Sequence, residues 1–286
     1  MFTPAKKKEG LLRLAITGIS SSGKTYTSLA IATWLGGKIA VLDTENDSAS
    51  LYANDFKFDS DVMEAPYHPQ KYIDAIHEAE RAGYGTLIID SLTHVWKGEG
   101  GILSIVNGIT ASSRSGNSAI AWNDAGDPLY EKLIDAIIHS KINIIGTIRS
   151  KQKHVMELDE KTNKNKLTRV GVRPIQREDF EFEFDLVFDM GLDNKATVTK
   201  SRCKTLPVGM VIPKPGEATA RMLTTWMRGA EWIEATSERA VSFAAEKWGI
   251  HKDEAKDKIE KAVKAEAVSA FLPKDEFKEW AVAVMA

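Results

Sequence analysis

The sequence has 286 residues, of which 43% are hydrophobic and 27% charged, and its 38 Lys and Arg against 40 Asp and Glu give a formal net charge of −2. These proportions exclude disorder as the default state and leave no global attraction to polyanions, so any such attraction must come from a local patch. A lone cysteine, Cys203, cannot form an intrachain disulfide, and no apolar run is long enough to span a bilayer, so the expectation is a cytoplasmic protein without a membrane partner.

Residues 1–10 read as a solvated start. The basic run Lys6-Lys7-Lys8 precedes an apolar stretch, but that stretch contains Arg13 and passes straight into a loop motif, so cleavage as a leader would destroy the motif. A strand is expected over 11–17. It leads into Gly18-Ile19-Ser20-Ser21-Ser22-Gly23-Lys24-Thr25, which fits G-x-x-x-x-G-K-[ST] with a strand before it and a helix after it. Glycines let backbone N–H groups curl round phosphates, and the helix adds its N-terminal dipole. The phosphate-binding candidates are therefore Gly18, Ser20, Ser21, Ser22, Gly23, Lys24, Thr25 and the adjoining Tyr26. Lys24 would reach the β- and γ-phosphates, and Thr25 would ligate Mg²⁺. This points to a nucleotide-binding α/β domain.

The helix from 24 to 35 should end at Gly36-Gly37. A short apolar strand follows over 38–45, delivering Asp43 and Glu45 to the edge where ligands sit in open α/β sheets. Residues 46–68 are a variable stretch, 69–82 has helical spacing, and 86–91 is an apolar strand ending in Asp90, the form of a Walker B element whose Asp holds the Mg²⁺ shell. Ser91 rather than Glu follows Asp90, so the water-activating base points back to Glu45, with Asp43 as its alternate.

Residues 92–106 look helical, and 107–127 is a polar excursion containing Arg114 and Trp122. Asp127-Pro128 reads as an N-cap with Pro in the first turn of a helix through 139. The strand over 142–148 ends near Thr147 and Arg149. From 149 to 173 the composition turns basic, and 161–166 reads as a hairpin tip or loop; both a solvated surface hairpin and a phosphate-tracking one fit. Phe180 to Met190 has strand alternation, and Asp193-Asn194 makes a tight turn into a second strand, 196–202, which places Lys200 and Arg202 on one face.

Beyond Pro207 the sheet pattern gives out. Helices are expected over 217–229, 238–248, 252–268 and 273–285, with Trp248, Phe271, Phe277 and Trp280 as a small core. The division expected is a core of 1–230 and a helical appendage of 231–286. The six histidines are scattered, without metal-ligand spacing.

The set Gly18–Thr25, Asp43-Thr44-Glu45, 86–91, Gly146-Thr147-Ile148-Arg149 and Lys200-Ser201-Arg202 resembles the RecA-type recombinase core. Residues 174–185 with the later Lys-Ser-Arg are similar to phage-encoded AAA/RecA-like ATPases of the Sak type, tied to single-strand annealing. The resemblance spans about residues 10–230. It implies a RecA-like P-loop NTPase fold, with a mainly parallel central sheet flanked by helices and a small helical C-terminal region. It implies Mg²⁺-dependent ATP hydrolysis, with Lys24 and Thr25 at phosphate and metal, Asp90 at the metal shell and Glu45 as base. Lys200 and Arg202 match the cationic pair that reaches the ATP of a neighbouring subunit, implying a homo-oligomer, ring or filament, with ATP at its interfaces.

Single-stranded DNA is the implied partner, running along 107–124 and 150–172, where Lys151, Lys153, Lys161, Lys164, Lys166 and Arg169 supply charge; a single-strand-binding protein is a further one. A phage-encoded chain would work in the bacterial host cytosol. Thr147 departs from the pattern, standing where RecA-type recombinases place a Gln that senses the γ-phosphate. A nucleotide-switched scaffold with a partner on its helical tail, or a helicase or helicase loader, are the alternatives.

Overall fold

The computed structural model describes residue 3, residues 10–159, 164–228, 232–265 and 271–284, and residue 268; within these, 153–159, 164–171, 232–233, 271–273 and 275–276 are described as backbone only. The chain divides into two compact units, one of residues 11–221 and one built mainly from 222–286.

The first unit is a mostly parallel α/β sheet. In chain order it contains β1 (Arg13–Gly18), α1 (Lys24–Leu35), β2 (Ile39–Asp43), β3 (Asp59–Val62), α2 (Pro69–Arg81), β4 (Thr86–Asp90), α3 (Leu92–Lys97), α4 (Ile102–Ser112), α5 (Ser118–Ala121) and α6 (Asp127–His139). Then come β5 (Asn143–Asp159), β6 (Lys164–Pro174), β7 (Leu186–Met190), β8 (Lys195–Ser201) and β9 (Val211–Pro213). The strand order is β3-β2-β4-β5-β1-β7-β8-β9, parallel from β3 to β7 and antiparallel from β7 to β9. Burial on both faces explains the near-continuous apolar strands: Leu87, Ile89 and Ile144 join Tyr72 and Ile76 of α2 and Leu133 and Ile137 of α6 in one cluster, while α1 packs over β1, β4 and β5.

Arg13, the charge inside the first apolar run, has a structural explanation. It is 6% exposed, and its guanidinium donates to the carbonyls of Leu12 (3.0 Å), Ile142 (2.9 Å), Ile138 (3.1 Å) and Ser140. A cation thus meets the unpaired carbonyls at the C-terminal end of α6, where the helix dipole is negative.

Several elements depart from the sequence expectation. The variable stretch contains a 3-10 turn at Ser48–Tyr52 and the edge strand β3, exposed along its length. The polar excursion is largely helical: α4 runs to Ser112, and α5 joins α6 through a π turn at Trp122–Gly126. Asp127 is consequently the first residue of α6 rather than its cap, and it accepts from Arg177 at 2.8 Å. Phe180–Glu183 is a 3-10 turn, not strand; Phe180 and Phe184 are both fully buried, whereas Phe182 is exposed. Beyond Pro207 the sheet continues by one edge strand, β9, which ends in Pro213, where a missing N–H is tolerated.

Helix α7 (Glu217–Arg228) leads into β10 (Trp232–Glu234), α8 (Glu238–Trp248), α9 (Lys252–Lys264), β11 (Phe271–Pro273) and α10 (Lys274–Ala283). The β10–β11 pair is antiparallel and was not expected among helices. Phe277 is fully buried with Ala240, Ala244 and Ile259, and the Trp248 indole donates to the Ala281 carbonyl at 2.7 Å. Gly249, at φ 65°, ends α8 in the left-handed region. Phe271 is described as backbone only. No helix among the described residues is long and apolar enough to cross a membrane.

Candidate nucleotide site

The site forms at the C-terminal edge of the parallel strands. Strand β5 lies between β1 and β4, and the register places Gly18 beside Arg149 and Asp43 beside Asp90. Four segments distant in sequence therefore meet at one phosphate loop.

Both loop glycines are required by space as well as by conformation. A Cβ on Gly18 (φ +152°) would lie 2.5 Å from Ser22 Oγ and 2.8 Å from the Met190 carbonyl oxygen; one on Gly23 (φ +85°) would lie 2.6 Å from Asn194 Oδ1. Ser22 Oγ is buried without a hydrogen-bond partner, an uncompensated polar group within the loop. The Lys24 ammonium donates to the Ile19 carbonyl at 2.9 Å and lies across the loop. Burial lowers its pKa, with Asp90 opposing and Arg149 adding to the shift, and an entering phosphate would favour its charged form.

Asp90 is 3% exposed. Its two oxygens accept from Thr25 Oγ1 (2.5 Å) and Thr147 Oγ1 (2.5 Å). Burial raises its pKa, and the two hydroxyls work against that. Thr147 is fully buried and its hydroxyl is given to this carboxylate. Thr25 and Asp90 are hard-oxygen donors side by side, a set that suits Mg²⁺. Among the described residues no cluster of three His, Cys, Asp or Glu could hold a metal by itself, so an ion here would take its remaining ligands from phosphate and water.

Glu45 lies two residues beyond β2 and is largely buried. It accepts from Ser91 Oγ at 2.9 Å and pairs with Arg149. Ser91 thus replaces the second acid of a D-E pair with a hydroxyl that orients Glu45. The Thr44 hydroxyl accepts from the Ser91 N–H (2.8 Å) and meets His94 Nδ1 (2.7 Å), and His94 stacks on Tyr67, so the segment carrying Glu45 is anchored. Asp43 is not an equivalent base: it is fully buried, and its oxygens accept from the N–H groups of Glu45 (2.5 Å) and Ala49 (2.8 Å), closing the loop after β2.

Arg149 is the residue that sequence reasoning placed at the edge but left out of the site. Its N–H donates to Thr93 Oγ1 at 2.8 Å, and its half-exposed guanidinium lines the pocket. That pocket, of about 260 Å³, is also lined by Ser20, Ser21, Lys24, Thr25, Glu45 and Asp90, with Tyr52 on its wall. Tyr26 lies outside this lining and backs Tyr52 edge-on, 5.9 Å between ring centroids.

The remaining candidates lie elsewhere. The Lys200 ammonium donates to the carbonyls of Glu181 (3.3 Å), Phe182 and Phe184 (2.6 Å), which ties it to the 3-10 turn before β7. Arg202 falls one residue past β8 and pairs with Asp185 at 3.1 Å. The register shift at Val187/Phe188 falls at Thr199, before Lys200, so the two-residue spacing from Lys200 to Arg202 is uninterrupted. Lys151 is exposed at the root of the β5–β6 hairpin; Lys153, Lys164, Lys166 and Arg169 occupy its arms, and Lys161 lies outside the described residues.

The arrangement can bind phosphates through the loop and Lys24 and can present Glu45 to a water next to them, which is the equipment of nucleotide hydrolysis. No curated protein matches the chain. The family model described as an AAA domain matches residues 11–225, which hold every residue of this site. The chain belongs to the AAA domain family and is a nucleotide-binding P-loop ATPase.

Proposed function

We propose that this ATPase hydrolyses ATP with Mg²⁺ and acts on single-stranded DNA in phage-type recombination or annealing, assembling head to tail into a homo-oligomer. One observation carries the reading. Strand β5 runs from Thr147 and Arg149 at the nucleotide pocket directly into the basic hairpin, Asn143–Asp159, so one element serves both. From 149 to 173 the chain has eight Lys and Arg against three Asp and Glu, a local basic segment in a chain of near-zero net charge.

The test is the ATPase rate with and without single-stranded DNA, together with the mass in solution with a non-hydrolysable ATP analogue. Stimulated turnover and an analogue-dependent oligomer are expected. A slow rate indifferent to DNA would favour the nucleotide-switched scaffold, a reading supported by the separate core of the C-terminal unit around Phe277.

A further inference from the structure

A second cavity, of about 480 Å³ against about 260 Å³ for the nucleotide pocket, opens at the root of the hairpin. Four segments build it: the end of α3 supplies Trp96 and Lys97, α4 supplies Leu103, β5 supplies Lys151, and the end of β6 with the stretch after it supplies Arg173, Gln176 and Arg177. Its floor is fixed. Gln176 donates to the Leu92 carbonyl at 2.9 Å and accepts from the Arg177 N–H at 3.0 Å. Arg177 pairs with Asp127 (2.8 Å) and Asp179 (3.1 Å) and lies 4.4 Å over the Tyr130 ring.

Its rim is different. Lys97 and Lys151 are exposed, and among the described residues neither ammonium group has an ion pair or hydrogen bond. Arg173 has only Glu178, at 4.0 Å. Glu178 and Glu181 are the acids of the lining; Glu181 is half buried, and burial followed by Asp189 raises its pKa, which weakens its claim on these cations. Trp96, partly buried, is backed by Trp122 at 5.7 Å between centroids, and it also lines the adjoining concavity along Gln176–Asp179. An aromatic wall beside unpaired cations is the pairing that binds single-stranded nucleic acid: a base on the ring, phosphates on the cations.

We propose that this groove seats a nucleotide unit of single-stranded DNA, with its base against Trp96 and its phosphates on Lys97, Lys151 and Arg173. The assignment rests on the DNA-directed function proposed above, but uses residues at the hairpin root instead of its tip.

The test is a titration of fluorescein-labelled oligothymidylate, about 20 nucleotides long to exceed the site of one binding domain, against the full-length chain with a non-hydrolysable ATP analogue. Anisotropy is read over a range of salt. The double variant Lys97→Glu, Lys151→Glu should bind at least about tenfold more weakly, with the slope of log K against log salt reduced by about 1.4, two phosphates' worth for a single strand. Trp96→Leu should bind about tenfold more weakly at unchanged slope, and Trp96→Phe should keep most of the affinity. Because Trp96 packs on Trp122, melting curves accompany the Trp variants; the charge reversals, at exposed positions, carry the test if those variants unfold. Wild-type binding with unchanged affinity and slope in the double variant overturns the groove and leaves the DNA reading standing. Absence of wild-type binding at low salt overturns the DNA reading, and the groove with it.

Discussion

Glu45 and Lys24 meet the same phosphates in different ways, and their variants should separate. Lys24→Ala removes charge from ground and transition state alike and should lose both nucleotide affinity and turnover. Glu45→Gln keeps the shape and the Ser91 hydrogen bond and should bind ATP while turning over at least about 100-fold more slowly. Equilibrium binding of a fluorescent ATP analogue beside steady-state hydrolysis checks both, and wild-type turnover in Glu45→Gln would remove Glu45 from the chemistry. Thr147→Val tests the Asp90 brace. The Thr147 hydroxyl favours the ionised carboxylate, so its loss raises the pKa of Asp90 further in the direction that burial already drives it. Since the ionised form is the one that serves Mg²⁺, the acid limb of the pH–rate profile should move to higher pH, with an activity loss of about tenfold at neutral pH. An unmoved limb would mean that Asp90 is held without Thr147.

At the scale of elements, the hairpin register divides its charges. Glu157 stands opposite Lys166 and Asp159 opposite Lys164, whereas Lys153 faces Gly171 and Arg169 faces His154. Cross-strand opposite charges partly satisfy one another. Lys164→Ala with Lys166→Ala should therefore flatten the salt dependence of DNA binding less than Lys153→Ala with Arg169→Ala, in the same anisotropy titration; equal slopes would show that the cross-strand acids do not matter. The phosphate loop was legible in the sequence because its requirements are contiguous: two glycines, a lysine and a threonine within eight residues. The Glu45–Arg149 pair was not, because the parallel register that sets Arg149 beside Gly18 joins residues far apart in the chain. Strands β3 and β9 are short edges with little apolar patterning, and Phe180 and Phe184, read as strand alternation, are buried at the start and just past the end of a 3-10 turn. The partners of Arg13 were not legible in the sequence because its acceptors, the carbonyls at the end of α6, are supplied only by the fold.

For the whole molecule, the head-to-tail oligomer proposed above would bring a cation of a neighbouring chain to the site. Lys200 is occupied by the carbonyls of the turn before β7, so Lys200→Ala should lower the melting temperature as well as the rate. Arg202 keeps an exposed side chain beside Asp185 and in such an assembly would be the better finger for a neighbour. Mixing Arg202→Ala with Lys24→Ala should restore part of the activity, because hybrid interfaces unite an intact loop with an intact finger; no recovery in proven mixed assemblies would confine Arg202 to its own chain. Strand β5 carries a mechanical consequence. Between Thr147 and Gln152 there is no glycine, proline or register irregularity, and the first break in pairing falls between Lys153 and His154. A β-bulge bends and twists a strand. The unpaired residue at that break is Val170 of β6, so β5 itself runs without interruption from Arg149 to Lys151, and a displacement of Arg149 by a bound nucleotide would be passed along it to the mouth of the Trp96 groove, short of the bend in the partner arm.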